Sequence, residues 1–268
     1  VPVALIIAGS GPVDRNGNGP GLQSDTYKLL AQALAARGVA NIRYDKRGVG
    51  ASAFSRAHES SLRFEMYIND AAGWQKQLRA DKRFSKIVVA GHSEGSLIGM
   101  ISSQHAPADA FASLEGAGRP AAAVLLEQLK ARLQPEVFQQ AVPIVAALQA
   151  GRTVPVQQSW AQELQMLFRA SVQPYLISWF KYDPAKEIAK LQVPVTIVQG
   201  TADVQVSMTD ANALKAALPA AHMVVVNGMN HILRYAPDTS SMQAVLAGYQ
   251  NASLPIDSHV VDALASMK

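Results

Sequence analysis

The chain has 268 residues and no cysteine. Disulfide staples, thiolate catalysis and cysteine-ligated metals are therefore excluded. Charge is sparse, at 16% of residues against 49% hydrophobic. That balance excludes a disordered chain and fits a protein with a sizeable core. The cationic excess is slight, a formal +4, and its densest pairs are Lys46-Arg47 and Lys82-Arg83. No basic stripe able to track a nucleic-acid backbone is present. No apolar run approaches the roughly 20 residues of a membrane span. Internal repeats and low-complexity segments are also lacking. No signal peptide is visible, but the chain begins at Val1 rather than Met, as a processed or trimmed product would. A cysteine-free chain suits the cytosol or, with a leader removed, the periplasm or exterior. Oligomeric state is not legible.

What is present is an alternation of strands and helices. Residues 3–8 form an uninterrupted apolar run, the pattern of a strand buried on both faces. A Gly-, Asn- and Asp-rich loop follows to about Gln23. A helix is expected over 27–37, capped by Ser24 or Asp25 and stopped by Gly38. Further strands are expected at 39–44, 87–90, 110–114, 193–199 and 222–226. Helices are expected at 62–78, 96–104, 209–218, 240–249 and 258–267. Strands alternating with helices imply an α/β fold, a mainly parallel, doubly wound sheet with helices on both faces.

Between about Arg119 and Asp183 the strand signal disappears. Helical segments are expected at 121–133, 136–150 and 159–182, with Pro143 kinking or dividing the second. Trp160, Phe168, Tyr175, Trp179 and Phe180 gather late in this stretch. They read first as packing within a helical insertion and second as the lining of an apolar pocket. The expected organisation is a core of residues 1–118 and 184–268 with a helical cap, 119–183, inserted over it.

Gly91-His92-Ser93-Glu94-Gly95 lies between an expected strand and an expected helix. This G-x-S-x-G pattern is that of a nucleophile elbow, in which the serine occupies a strained turn. Side chains two residues to either side would strike neighbouring backbone, so glycine fills both places. A serine hydroxyl is a weak nucleophile and needs an imidazole base, which in turn needs a carboxylate to orient it. In a parallel sheet all loops leaving strand C-termini open on one edge. Ser93, Asp203 and His231 each follow an expected strand on that edge, in the order Ser, Asp, His. Asp210, the nearest rival acid, falls inside an expected helix. His58, His105, His222 and His259 lack a strand-exit setting with a matching partner, and His92 is fixed in the elbow. These five read as structural.

The ordered set of Gly91-His92-Ser93-Glu94-Gly95, Pro194-Val195-Thr196-Ile197-Val198-Gln199-Gly200-Thr201-Ala202-Asp203 and Gly228-Met229-Asn230-His231 resembles the catalytic landmarks of the α/β-hydrolase superfamily. The likeness is to its esterase and serine-aminopeptidase-like branch. Tyr44-Asp45-Lys46-Arg47-Gly48-Val49-Gly50-Ala51-Ser52 resembles that branch's strand-end signature. Ala8-Gly9-Ser10-Gly11-Pro12-Val13-Asp14-Arg15 resembles a loop of bacterial carboxylesterases. The resemblance runs from Val3 to about His231 and leaves the insertion unmatched in detail. It implies an α/β-hydrolase fold in which backbone N–H groups of Ser10 and Glu94 form the oxyanion hole, with Gly11 in place of Ser10 if the register slips by one. Many members carry His where this chain has Ala8, a change that a backbone donor tolerates. The end of the strand near Glu115 is where some hydrolases place their acid. The fold also usually has antiparallel strands before the one at 3–8, for which this sequence has no room.

The implied activity is a serine carboxylesterase acting on small-molecule esters of short to medium acyl chains. It uses Ser93, Asp203 and His231 and needs no cofactor and no metal. Peptide, lactone, thioester or carbon–carbon bond cleavage uses the same machinery, and a hydrolase-fold protein that binds a ligand without turnover is the alternative of another class. Glu127, Glu136 and Glu163 are too scattered to hold a substrate ammonium, as an aminopeptidase requires. Asp14-Arg15-Asn16-Gly17-Asn18-Gly19 fits the opening of a calcium loop, with Asp25 at the bidentate position. A strand rather than a helix leads into it, so it reads as a polar turn-rich loop. Gly48-x-Gly50 lacks the third glycine and the helix of a dinucleotide fingerprint. Asp45 and Arg47 are expected to pair and brace the active-site loops.

Overall fold

The computed structural model describes residues 1–54, 56–251 and 253–268. The elements run β1 (Pro2–Ile7), β2 (Asn18–Gly19), β3 (Leu22–Gln23), α1 (Thr26–Ala36), β4 (Ala40–Arg43), α2 (Phe64–Ala80), β5 (Lys86–His92) and α3 (Glu94–His105). Then come β6 (Ala110–Leu114), α4 (Ala121–Arg132), α5 (Pro135–Gln149), α6 (Gln162–Leu167), α7 (Gln173–Trp179) and α8 (Pro184–Ile188). β7 (Val195–Gly200), α9 (Met208–Ala217), β8 (His222–Val226), α10 (Met242–Gln250) and α11 (Ser258–Ser266) complete the chain. Six strands form one sheet in the order β4-β1-β5-β6-β7-β8, with every neighbouring pair parallel. β2 and β3 make a separate antiparallel hairpin inside the polar loop.

Alternation along each strand sends side chains to two cores. Val3, Leu5, Ile7, Ile87, Val89, Phe111, Val195 and Ile197 face one core, with Phe64 and Ile68 of α2, Ile98 and Met100 of α3 and Leu214 of α9. Ala4, Ile6, Val88, Ala90, Ala112 and Val198 face the other, under Leu30 and Leu34 of α1 and Val260 and Leu264 of α11. Burial on both faces is why these strands are apolar runs and not alternating ones. The outer strand β8 has one side toward solvent and mixes exposed with half-buried positions.

The helical stretch shares the first of these cores. Ala141, Ile144, Val145 and Leu148 of α5, Leu164 of α6 and Tyr175 and Leu176 of α7 belong to it. Pro143 does not divide α5, which runs unbroken through it. Burying the neighbouring apolar side chains outweighs the one missing backbone hydrogen bond. The segment expected as one helix over 159–182 is instead two, α6 and α7. Pro174 sits in the first turn of α7, where the absent N–H is harmless but helix upstream is blocked. The buried Gln173 side chain fills the break, donating to Phe168 O (2.7 Å) and Val154 O (2.8 Å). At Pro184 a short helix not foreseen from the sequence begins, capped by Asp183, which accepts from Ala185 N. Asp25 precedes α1 at φ 50° but does not cap it with its side chain, whose Oδ1 accepts from Asn18 Nδ2. Among the described residues no helix is long and apolar enough to cross a membrane.

Candidate active site

Because the sheet is parallel, the segments after β1, β4, β5, β6, β7 and β8 all leave at one edge. The turn from β5 into α3 holds Ser93 at φ 54°, ψ −122°, a left-handed conformation that side chains rarely adopt. Steric facts around it explain the two glycines. A Cβ on Gly91 would lie 2.2 Å from Gly95 O, and one on Gly95 would lie 2.3 Å from Ile7 O. The Ser93 N–H donates to Leu114 O at 2.9 Å, so β6 anchors the turn.

His231 and Asp203 meet at the same edge. His231 Nδ1 donates to Asp203 Oδ2 at 2.6 Å, and both side chains are buried. The other carboxylate oxygen, Oδ1, accepts from Gln205 N (2.7 Å) and Val206 N (3.0 Å). Burial pushes the Asp203 carboxyl upward, but the His231 charge and these bonds outweigh it and hold the group below its usual range. The imidazole is thereby fixed with Nε2 as its free nitrogen. Asn230 shapes the histidine loop, its Oδ1 accepting from Ile232 N and Arg234 N. The buried Arg234 guanidinium reaches Asn251 O and Ser24 O and ties that loop to the segment before α1.

Ser10, Ser93 and His231 line one cavity of about 110 Å³. Ser10, Ser93 and Glu94 line a second of about 490 Å³, walled by α4 and α7 side chains. Gly9 presses on the elbow: a Cβ there would lie 3.2 Å from Ser93 Cβ. The chain thus brings together all five residues expected at the site. Asp210, the rival acid, is taken up by Arg119 and by the Gly118 and Arg119 N–H groups.

Three features were not legible beforehand. The first is a chain of bonds linking the loops. The Gly9 N–H donates to Tyr27 Oη (2.9 Å), the Tyr27 hydroxyl donates to His92 Nδ1 (2.8 Å), and His92 Nε2 donates to His231 O (2.7 Å). Burial, then the neighbouring His231 charge, lower the His92 pKa to about 3, so the ring is neutral. The second is a buried ion pair. Lys46 Nζ donates to Glu94 Oε1 (3.0 Å) and to Gly9 O (2.6 Å), and lies 4.9 Å from the Tyr67 ring centre. A glutamate directly after the nucleophile position was its one sequence signal. The third is the setting of Glu115, a strand-end position the sequence does point to, which is fully buried at φ 49°. Its carboxyl accepts from Gly200 N (2.8 Å) and Gln199 Nε2 (2.5 Å) and lies within 4.8 Å of the Asp203 and His231 ligand atoms. Burial and the Asp203 charge raise its pKa well above the usual value.

One expectation at the site needs correction. Asp45 and Arg47 do not pair with each other. Arg47 pairs with Asp70 on α2 (2.6 Å), while Asp45 accepts from Arg15 N (2.7 Å) and Ala51 N (2.9 Å). Asp45 therefore braces two loops through backbone donors, and Arg47 points the other way, to the helix. The late aromatics pack within their own stretch, Tyr175 on Trp179 at 6.0 Å and Trp179 on Phe180 at 6.3 Å, and also against α2, where Trp179 stacks on Phe64 at 5.9 Å and Tyr175 meets Tyr67 edge-on at 5.6 Å. Tyr175 and Trp179 also line the larger cavity, while Phe168 and Phe180 are core. In the polar loop, Asp14 Oδ1 accepts from Asn16 N and Asn18 N, so chain donors take up that carboxylate.

A parallel sheet of this order, with its elbow and strand-end loops, defines an α/β-hydrolase fold. The chain belongs to the serine aminopeptidase S33 family, whose model matches residues 18–175. It is 24% identical over 247 residues to Esterase EstD of Thermotoga maritima, covering 87% of this chain and 54% of that protein. The chain therefore spans about half the length of this curated relative. Among solved structures it is similar to Est1E from Butyrivibrio proteoclasticus bound to ferulic acid. The TM-score is 0.63 and the identity 18%, over 99% of this chain and 90% of that one. It is also similar to the monoacylglycerol lipase of Paleococcus ferrophilus, with a TM-score of 0.57 and 17% identity over 99% and 95% of the two chains. At these identities the structural likeness speaks for the fold.

Proposed function

We propose that this chain is a serine carboxylesterase in which Ser93 is the nucleophile, His231 the general base and acid, and Asp203 the orienting carboxylate. The observation that carries the reading is the 2.6 Å bond from His231 Nδ1 to Asp203 Oδ2, at a cavity that the left-handed Ser93 also lines. Ser93 Oγ attacks the ester carbonyl carbon while His231 Nε2 takes its proton. The backbone N–H groups of Ser10 and Glu94 hold the oxyanion of the tetrahedral intermediate. The carbon–alkoxy bond then breaks, and the proton on His231 passes to the departing alcohol. Water, activated by the same imidazole, hydrolyses the acyl-enzyme and returns Ser93. Residues 119–183 act as a cap over a core of 1–118 and 184–268, their helices forming the wall of the larger cavity.

The charges lining that cavity favour an ester over the N-terminus of a peptide. Among the described residues lining it, Glu94 is the only carboxylate, and Lys46 already neutralises it. Arg119, Arg132 and Arg169 line the same space, Arg119 paired with Asp210 and Glu127 and Arg169 with Glu59. A substrate ammonium needs an uncommitted carboxylate, which these lining residues do not offer, whereas a neutral acyl chain needs none.

Hydrolysis of p-nitrophenyl esters of graded acyl length, with Ser93→Ala alongside, tests the reading. Loss of the nucleophile should lower kcat by about 10⁴-fold or more. A fluorophosphonate should label Ser93. Absence of both turnover and labelling in the unmodified protein overturns the esterase reading in favour of a ligand-binding role.

A further inference from the structure

The two cavities at Ser93 are unequal, and the reacting groups divide between them. Ser10 and Ser93 line both. His231 lines the one of about 110 Å³, together with Leu22, Tyr27 and Ile232. Glu94 lines the one of about 490 Å³, together with Leu125, Leu129 and Trp179.

Acyl transfer dictates which half of an ester enters which space. In the collapse of the tetrahedral intermediate the carbon–alkoxy bond breaks and His231 gives its proton to the departing oxygen. That oxygen must come within hydrogen-bond reach of His231 Nε2. The alcohol half therefore extends into the cavity that His231 lines. The acyl chain leaves the same carbon away from the imidazole, past the Glu94 side of the elbow. We propose that the enzyme takes esters of medium-length apolar acyl groups with small alcohols, the acyl chain in the larger cavity and the alcohol in the smaller.

This assignment rests on the serine-esterase reading and goes beyond it by giving the ester a direction. Methyl octanoate and heptyl acetate have the same atomic composition and differ only in which side of the ester carries the chain. Their hydrolysis by the whole protein, followed by pH-stat titration, separates the two directions. Methyl octanoate should have the higher kcat/KM by at least about tenfold, the discrimination that a methylene placed in or out of a fitted pocket can produce. Leu125→Trp, which narrows the larger cavity, should move the preferred acyl length to shorter chains. Equal rates or a preference for heptyl acetate, with fluorophosphonate labelling of Ser93 intact, overturn the assignment and leave the esterase reading standing. No hydrolysis of either ester and no labelling overturn both.

Discussion

Replacing His92 by glutamine should make folding stability less dependent on pH on the acid side of neutrality. His92 is buried, with Nε2–H donated to His231 O at 2.7 Å and Nδ1 accepting from Tyr27 at 2.8 Å. A proton on Nδ1 would put a charge in a buried site beside His231, and it would also remove the acceptor of the Tyr27 hydroxyl. The folded-state pKa is accordingly depressed from 6.5 to about 3. A depressed pKa contributes stability that is fully present above the unfolded value of 6.5. It is lost as pH falls toward the folded value. Between pH 7 and pH 4 the native histidine should cost about 3 kcal/mol of stability, at about 1.4 kcal/mol per pH unit below 6.5. Glutamine at this position does not titrate, and the remaining groups are common to both proteins. The variant should be the less stable at pH 7 by about 1–2 kcal/mol, because Tyr27 loses its acceptor. That gap should shrink and reverse by pH 4. Urea unfolding at four pH values between 4 and 7 measures it. A gap that stays constant across this range refutes the neutral, doubly bonded imidazole.

Lys46→Met should destabilise the protein by about 3–5 kcal/mol, because the buried Glu94 carboxylate loses its partner. The double variant with Glu94→Gln should recover most of that loss in a denaturant-unfolding cycle, and strict additivity would contradict the pairing. Glu115→Gln should gain stability relative to the native protein as pH rises from 5 to 9. The native carboxyl, with its raised pKa, binds a proton that becomes harder to hold above about 4.5, whereas the amide does not titrate; parallel melting curves at the two ends of the range would count against a raised Glu115 pKa. Gly95→Ala should fail to fold or lose several kcal/mol, of the order of about 4, since its Cβ would meet Ile7 O at 2.3 Å. A variant melting near the native temperature would show that the elbow can open.

The strands, the elbow and the order of Ser93, Asp203 and His231 were legible in the amino-acid sequence for local reasons. A strand buried on both faces must be apolar throughout, so 3–8 and 110–114 announce themselves. A turn in which a Cβ would strike backbone must carry glycine, so Gly91 and Gly95 mark Ser93. Parallel strands deliver their exits to one edge, so three distant loops can be assigned to one site before any distance is known.

Partner choice was not legible, because it depends on which side chains from separate loops arrive within about 3 Å of each other. Asp45 and Arg47 are neighbours in the chain, yet one turns to the backbone of the Arg15 loop and the other to Asp70. Lys46 and Glu94 are 48 positions apart and pair because β4 and β5 flank β1 in the sheet. The split between α6 and α7 follows from Pro174 and from Gln173 reaching back to Val154. By itself the sequence determined that Ser93, Asp203 and His231 leave strands at one edge, since local sterics and chain order suffice for that. Only the tertiary structure decided what surrounds them: the neutral His92 relay, the buried Lys46–Glu94 pair, and the unequal cavities. Each of these is a meeting of segments far apart in the chain, held by burial, and burial is a property of the packed whole.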